Sequence, residues 1–173
     1  NVRAGITFSA ALRSMLRHDP DIVLVGEIRD GETADITARA AMTGHLVFST
    51  LHTNSAIGAV SRLKDLDLAP FLIASSVIGI MAQRLVRKLC IQCREEYEPT
   101  EAELKTLDQP VEKLYRSKGC PVCRQTGFAG RTGVYEVIQV TEELRQAISQ
   151  GKEEHELVEL VRSQGFKSMW EDA

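Results

Sequence analysis

Aromatic residues are scarce in this chain of 173 residues: five Phe, three Tyr and one Trp, 5% in all. That is too thin for a platform on which bases stack. Charge of one sign is lacking as well. The 21 Lys and Arg against 24 Asp and Glu leave a formal net charge of −3, which argues against a dedicated nucleic-acid binder. No apolar run is long enough to span a bilayer. The longest, around Ala69 to Met81, is broken by Pro70, Ser75, Ser76 and Gly79. There is no signal peptide, internal repeat or low-complexity tract, and both ends, Asn1 and the closing SMWEDA, read as cut. A glycine-rich phosphate loop ending GK[ST] is missing too. The apolar (43%) and charged (26%) fractions are ordinary for a globular protein, and the length suggests one domain or somewhat more.

What is present is patterned. Phe8, Leu12, Met15 and Leu16 recur at helical spacing up to Arg17, with Arg13 and Arg17 four apart on another face and Pro20 after the end. Ile22 to Val25 shows no alternation and predicts a strand buried on both faces. Asp30 is placed to cap a helix from Gly31 to about Thr43, closed by Gly44. Leu46 to Leu51 reads as a second buried strand. Asn54 is expected to cap a helix to Leu66, and Pro70 to open another through Gln83 and on to Val86. Beyond Cys90 the composition shifts, with seven acids and two bases between Glu95 and Lys113. Arg131 to Val140 alternates as a half-exposed strand, and two short helices, Glu142 to Gln150 and Glu153 to Ser163, follow around Gly151. This order implies an α/β layered sheet. In such sheets ligands bind beyond the carboxyl ends of the strands, where Glu27 and the Ser49–His52 segment fall.

A strand that delivers a lone carboxylate at its end, DIVLVGE, can supply a general base or an orienter of water beside a terminal phosphate. Gly26 stands where an Asp often precedes the Glu, so Glu27 would act alone. It could equally cap the next turn or pair with Arg29. His45 and His52 flank the second strand at a spacing unsuited to two zinc ligands on one helix. Each alone reads equally as a structural histidine. Thr50, Thr53 and Asn54 offer short polar groups suited to a phosphate, or to turns and caps. Arg13 and Arg17 by themselves suggest a solvated helix face.

All four cysteines fall into one pattern, Cys90-x2-Cys93 and Cys120-x2-Cys123. Two such knuckles build a tetrahedral four-thiolate site. Zinc is favoured, although iron takes similar ligands, and disulfides are disfavoured because nothing suggests secretion. The site would staple an acidic insertion with no evident core of its own.

Two stretches, GITFSAALRSMLRHDPDIVLVGEIRD and ETADITARAAMTGHLVFSTLHTN, resemble the ATPases of type II secretion systems and type IV pili. In that family GEIRD is a variant Walker B segment and TGHLVFSTLHTN a histidine box. The resemblance runs from about Ile6 through Asp172 and includes AQRLVRKLC, the paired cysteines and GRTGVYEV.

The resemblance implies a partial RecA-like P-loop NTPase sheet in residues 1–89. It also implies a tetracysteine zinc subdomain in 90–130 and a strand with helices in 131–173. It makes Glu27 the catalytic glutamate, with His52, Arg13 and Arg17 in catalytic roles. His45, Thr50, Arg29 and Arg131 would be nucleotide-binding, and Cys90, Cys93, Cys120 and Cys123 metal ligands. The cofactors implied are Mg-ATP, in a longer parent, and Zn2+. The parent is expected to be a homo-hexameric ATP hydrolase, cytoplasmic and peripheral to the inner membrane. It would work with a membrane platform protein and a membrane-anchored recruiter, with no nucleic acid and no transmembrane segment. The expected function is the motor of type II secretion, with the 173 residues alone inactive. A type IV pilus assembly ATPase is the near alternative. A non-catalytic zinc-ribbon binding module and a helicase-like motor are the rivals of other classes.

Overall fold

A computed structural model describes residues 7–107 and 110–173. The described elements run α1 (Phe8–Leu16), β1 (Ile22–Val25), α2 (Gly31–Met42), β2 (Leu46–Ser49), α3 (Gly58–Asp65), α4 (Pro70–Ser76) and β3 (Gly79–Leu89). They continue with β4 (Arg94–Tyr97), α5 (Glu101–Thr106), β5 (Leu114–Ser117), β6 (Phe128–Gln139), α6 (Glu142–Ser149), α7 (Glu154–Ser163) and α8 (Met169–Asp172). The chain divides into two compact units, one of residues 1–82 and 136–166, the other of 83–135 and 167–173.

In the first unit β1 and β2 pair in parallel, Ile22 with Leu46 through Val25 with Ser49, and α2 makes the crossover. The crossover starts where the sequence says it should. Asp30 accepts the Thr33 N–H at 2.8 Å and the Thr33 hydroxyl at 3.1 Å, satisfying donors left unpaired in the first turn. It stops at Gly44, whose φ of +107° is the left-handed geometry glycine adopts freely. The core joins Val23 and Val25 to Ile36, Val60, Ile73, Leu144, Ile148 and Leu157, all 7% exposed or less. It therefore draws on helices from both ends of the chain.

Three local expectations are corrected. First, β1 is buried on one face only. Val23 and Val25 are inside, while Ile22 and Leu24 are 63% and 73% exposed, on the same face as their partners Leu46 and Phe48. A run of apolar residues thus serves a sheet that these residues cover on one side. Second, Ser55 rather than Asn54 prepares α3, its hydroxyl accepting the Gly58 N–H at 3.1 Å. Third, the helix opened by Pro70 ends at Ser76, and Gly79–Leu89 is a strand. Ser75 and Ser76 donate their hydroxyls back to the Phe71 and Leu72 carbonyls, Val77 leaves helical geometry, and the β-branched Ile78 and Ile80 then suit extended chain. β3 pairs with β6.

In the second unit β4 and β5 form an antiparallel pair, Arg94 opposite Ser117 through Tyr97 opposite Leu114. α5 begins with a capping box in which Thr100 and Glu103 bond each other's backbone, yet it buries no residue. The acidic insertion is therefore partly helical and solvated, as its composition implies.

Candidate active site and metal centre

The carboxyl ends of β1 and β2 gather one group of the expected residues. The Ile28 N–H donates to the Thr50 carbonyl at 3.0 Å, and the Thr50 hydroxyl donates to the Gly26 carbonyl at 2.7 Å. These bonds latch the two loops together just past the strands. Glu27 projects from that latch, about one-third exposed, with both oxygens engaged. Arg29 Nη2 lies 2.5 Å from Oε1, and His52 Nε2 lies 3.1 Å from Oε2. The Arg29 hydrogen bond, opposed by burial and aided by His52, holds the Glu27 carboxyl below the usual carboxylate range. Glu27 is thus ready as an anion. The His52 side chain is 84% exposed and can turn away.

His45, Arg13 and Arg17 form a second group. His45 precedes the first residue of β2, so four residues of extended strand, about 13 Å, separate it from Ser49 at the far end. Its Nδ1 lies 3.0 Å from the Ala40 carbonyl, which can only accept, so Nδ1 carries the hydrogen. Nε2 is buried with no partner among the described residues. Arg13, Arg17 and His45 line one open cleft of about 510 Å³ with Arg39 and Asp35 from α2. Arg13 also reaches Glu32 at 3.0 Å, and Arg39 is bonded by Asp35 at 2.8 Å. The histidine box therefore splits between two ends of one strand. Arg131 lies on β6 in the second unit and is exposed.

The cysteines meet as the spacing requires. All four Sγ atoms lie within 4.8 Å of one another. Cys90 and Cys120 are 4.0 Å apart, Cys93 and Cys123 3.8 Å, and Cys120 and Cys123 3.7 Å. A tetrahedron with metal–sulfur bonds of about 2.3 Å has edges of about 3.8 Å, so the donor set fits zinc. The separations are far beyond a disulfide bond, and all four cysteines are free. Burial pushes the Cys93 thiol up to about 11. Burial opposes ionisation of Cys123 too, but N–H groups of Cys120 and Gly127, each 3.2 Å from its Sγ, bring it down to about 6. Gly127 is required for this. Its φ is +75°, and an added Cβ would meet Ser117 Cβ at 2.4 Å.

One residue escaped the sequence reading of the site. Glu136 is 7% exposed, and its carboxylate accepts the Ala56 N–H at 2.7 Å, just beyond the histidine loop. The signal was an acid on β6 where alternation with Val134, Ile138 and Val140 calls for an apolar side chain.

The fold and these sites define an α/β protein that carries an acid–histidine site at parallel strand ends and a four-cysteine metal-type centre on one chain. Residues 1–173 match the family described as type II/IV secretion system protein, and the chain belongs to that family. It is 48% identical over 172 residues to the type II secretion system protein HxcR of Pseudomonas aeruginosa, covering 99% of this chain and 34% of that protein. It is 45% identical over 177 residues to the type IV pilus assembly ATPase PilB of Thermus thermophilus, covering 99% and 20%. Among solved structures it resembles the pilus retraction motor PilT with bound ADP, at a TM-score of 0.64 and 28% identity, over 96% of this chain and 38% of that one. The α/β, RecA-like expectation and the family resemblance both hold. The chain spans about a third of the length of the Pseudomonas relative.

Proposed function

We propose that this chain forms the water-activating half of the nucleotide site in a type II secretion motor ATPase. The observation that carries this reading is Glu27, just past the end of β1, with one oxygen on Arg29 and the other on His52. A carboxylate held below its usual pKa is a weak base in bulk terms but a strong orienter of water beside a terminal phosphate. When ATP occupies the site, His52 swings from Glu27 toward the terminal phosphate. This frees Oε2 to accept a hydrogen bond from the attacking water. Arg29 stays on Oε1 and keeps the other oxygen aimed. Magnesium, when bound with the nucleotide, would neutralise charge between the phosphates.

The phosphate-binding loop, absent from the sequence, has to come from outside these 173 residues. Arg13, Arg17 and His45 lie away from the Glu27 cluster in the chain. A catalytic part for them, and for Arg131, requires a neighbouring subunit or a further segment, which fits assembly as a homo-hexamer. Thr50 shapes the site by latching Gly26 and keeps lone pairs for a nucleotide. Segment 1–89 would then carry the ATPase chemistry, and 90–130 a zinc subdomain held by Cys90, Cys93, Cys120 and Cys123. Segment 131–173 would supply the strand and helices that buttress the first. The motor would act from the cytoplasmic side of the inner membrane with a platform protein and an anchored recruiter. No helix among the described residues is long and apolar enough to cross a membrane. The test is ATP turnover by a protein containing this chain together with a phosphate loop, compared with its Glu27→Gln variant.

A further inference from the structure

We infer that Glu136 positions His52 by tethering the loop between β2 and α3. The inference rests on reading His52 and Glu27 as one site. An acid on the inner face of a strand is costly to bury unless hydrogen bonds replace its water. Glu136 is 7% exposed and spends its carboxylate on the backbone of a segment 80 residues earlier, accepting the Ala56 N–H at 2.7 Å.

That segment begins at His52. Within it, Thr53 donates its hydroxyl to the Ser55 carbonyl at 3.0 Å, and Ser55 takes the Gly58 N–H. The Thr53 bond, made to the Ser55 backbone, holds the stretch next to His52, and the Ser55 side-chain bond serves the start of α3. The Glu136 bond fixes where that stretch is attached. Ala56 and Ile57, 1% and 3% exposed, seat the inner end in the core, while His52 stands exposed four residues away. A shift of Ala56 passes along this short, internally bonded segment to the imidazole, whose hydrogen bond among the described residues is to Glu27.

The competing reading is that Glu136 merely caps α3, whose N-cap residue Ile57 has no acceptor of its own. The two separate by experiment on the chain itself, without nucleotide. Glu136→Ala and Glu136→Gln are compared with Ser55→Ala, which removes a cap bond of α3 but not the tether. Glu136→Ala is expected to speed hydrogen exchange at the Ala56 amide about 10- to 100-fold relative to the Val60 amide. It should also move the His52 ring nitrogen resonances toward those of a Glu27→Gln variant. Glu136→Gln, which keeps an uncharged acceptor, falls between, and Ser55→Ala leaves the His52 ring unmoved. Unchanged His52 resonances in a folded Glu136→Ala protein overturn the inference. If that variant does not fold, unchanged His52 and Ala56 signals in Glu136→Gln overturn it. In a protein that also has a phosphate loop, kcat should fall about 10²-fold in Glu136→Ala with little change in KM. Moved His52 resonances with unchanged kcat uphold the tether and contradict the catalytic part assigned to His52 instead.

Discussion

Removing metal from the four-cysteine centre should unfold the second unit and spare the first. The reason lies in what each unit buries. Between Gln83 and Tyr135, the buried apolar side chains among the described residues are Cys90, Cys93, Cys123 and Val134. A core this small rarely supplies more than about 3–5 kcal/mol. A structural zinc contributes an apparent 10–16 kcal/mol, roughly, at neutral pH. The metal term therefore exceeds everything else available, and chelation should cost more than the unit has. The first unit, with Ile73, Leu144, Ile148 and Leu157 fully buried, does not depend on it. The assay is metal analysis plus amide NMR before and after a strong chelator. One zinc per chain is expected. On chelation the Gly119 and Gly127 amides should collapse to random-coil positions while Ile73 and Leu144 keep theirs. Zinc loading near neutral pH should release protons, because the metal takes thiolates and folds a unit whose cysteines are otherwise largely protonated. Gly119 and Gly127 signals indifferent to chelation would refute the argument.

Three further outcomes can be checked. Asp30→Ala removes the cap bonds to Thr33 and should destabilise the first unit by about 1 kcal/mol, read as a lower denaturation midpoint. The Glu27 carboxyl carbon should titrate below the ordinary range of a glutamate. Because the folded pKa is depressed, the Arg29 and His52 contacts add stability above the unfolded value and lose it as pH falls through the folded one, and an acid NMR titration should show them parting there. The 173 residues alone should show negligible Mg-dependent ATP hydrolysis for want of a phosphate loop. Robust turnover by the purified chain would contradict that.

Much of the fold could be read from residues that do one local job. Asp30 and Gly44 marked both ends of α2, and the alternation of Val134, Glu136 and Ile138 gave β6. The CxxC pairs brought four sulfurs to tetrahedral distance. What misled were segments whose conformation is decided elsewhere. The stretch from Pro70 to Val86 has enough apolar and helix-favouring residues to continue a helix. Pairing with β6, a strand that begins far along the chain at Phe128, makes Gly79–Leu89 extended. The run IVLV says buried, but a residue pattern cannot say how many faces its neighbours cover. At the site, Glu27 and His52 were legible because both follow strands that end together. His45 was grouped with them through one motif, although a strand's length lies between. The carboxylate of Glu136 was visible only as a break in alternation, and its role needed the loop it holds.

The central claim is that Glu27 activates water. The most direct measurement is ATP turnover alongside ATP binding for Glu27→Gln in a protein that carries this chain and a phosphate loop. Glutamine keeps the size of the side chain but cannot take the proton, and it lacks the charge that pairs with Arg29 and His52. Binding should be retained while turnover falls by about 10²–10⁴-fold. Turnover near that of the unsubstituted protein would remove Glu27 from the chemistry.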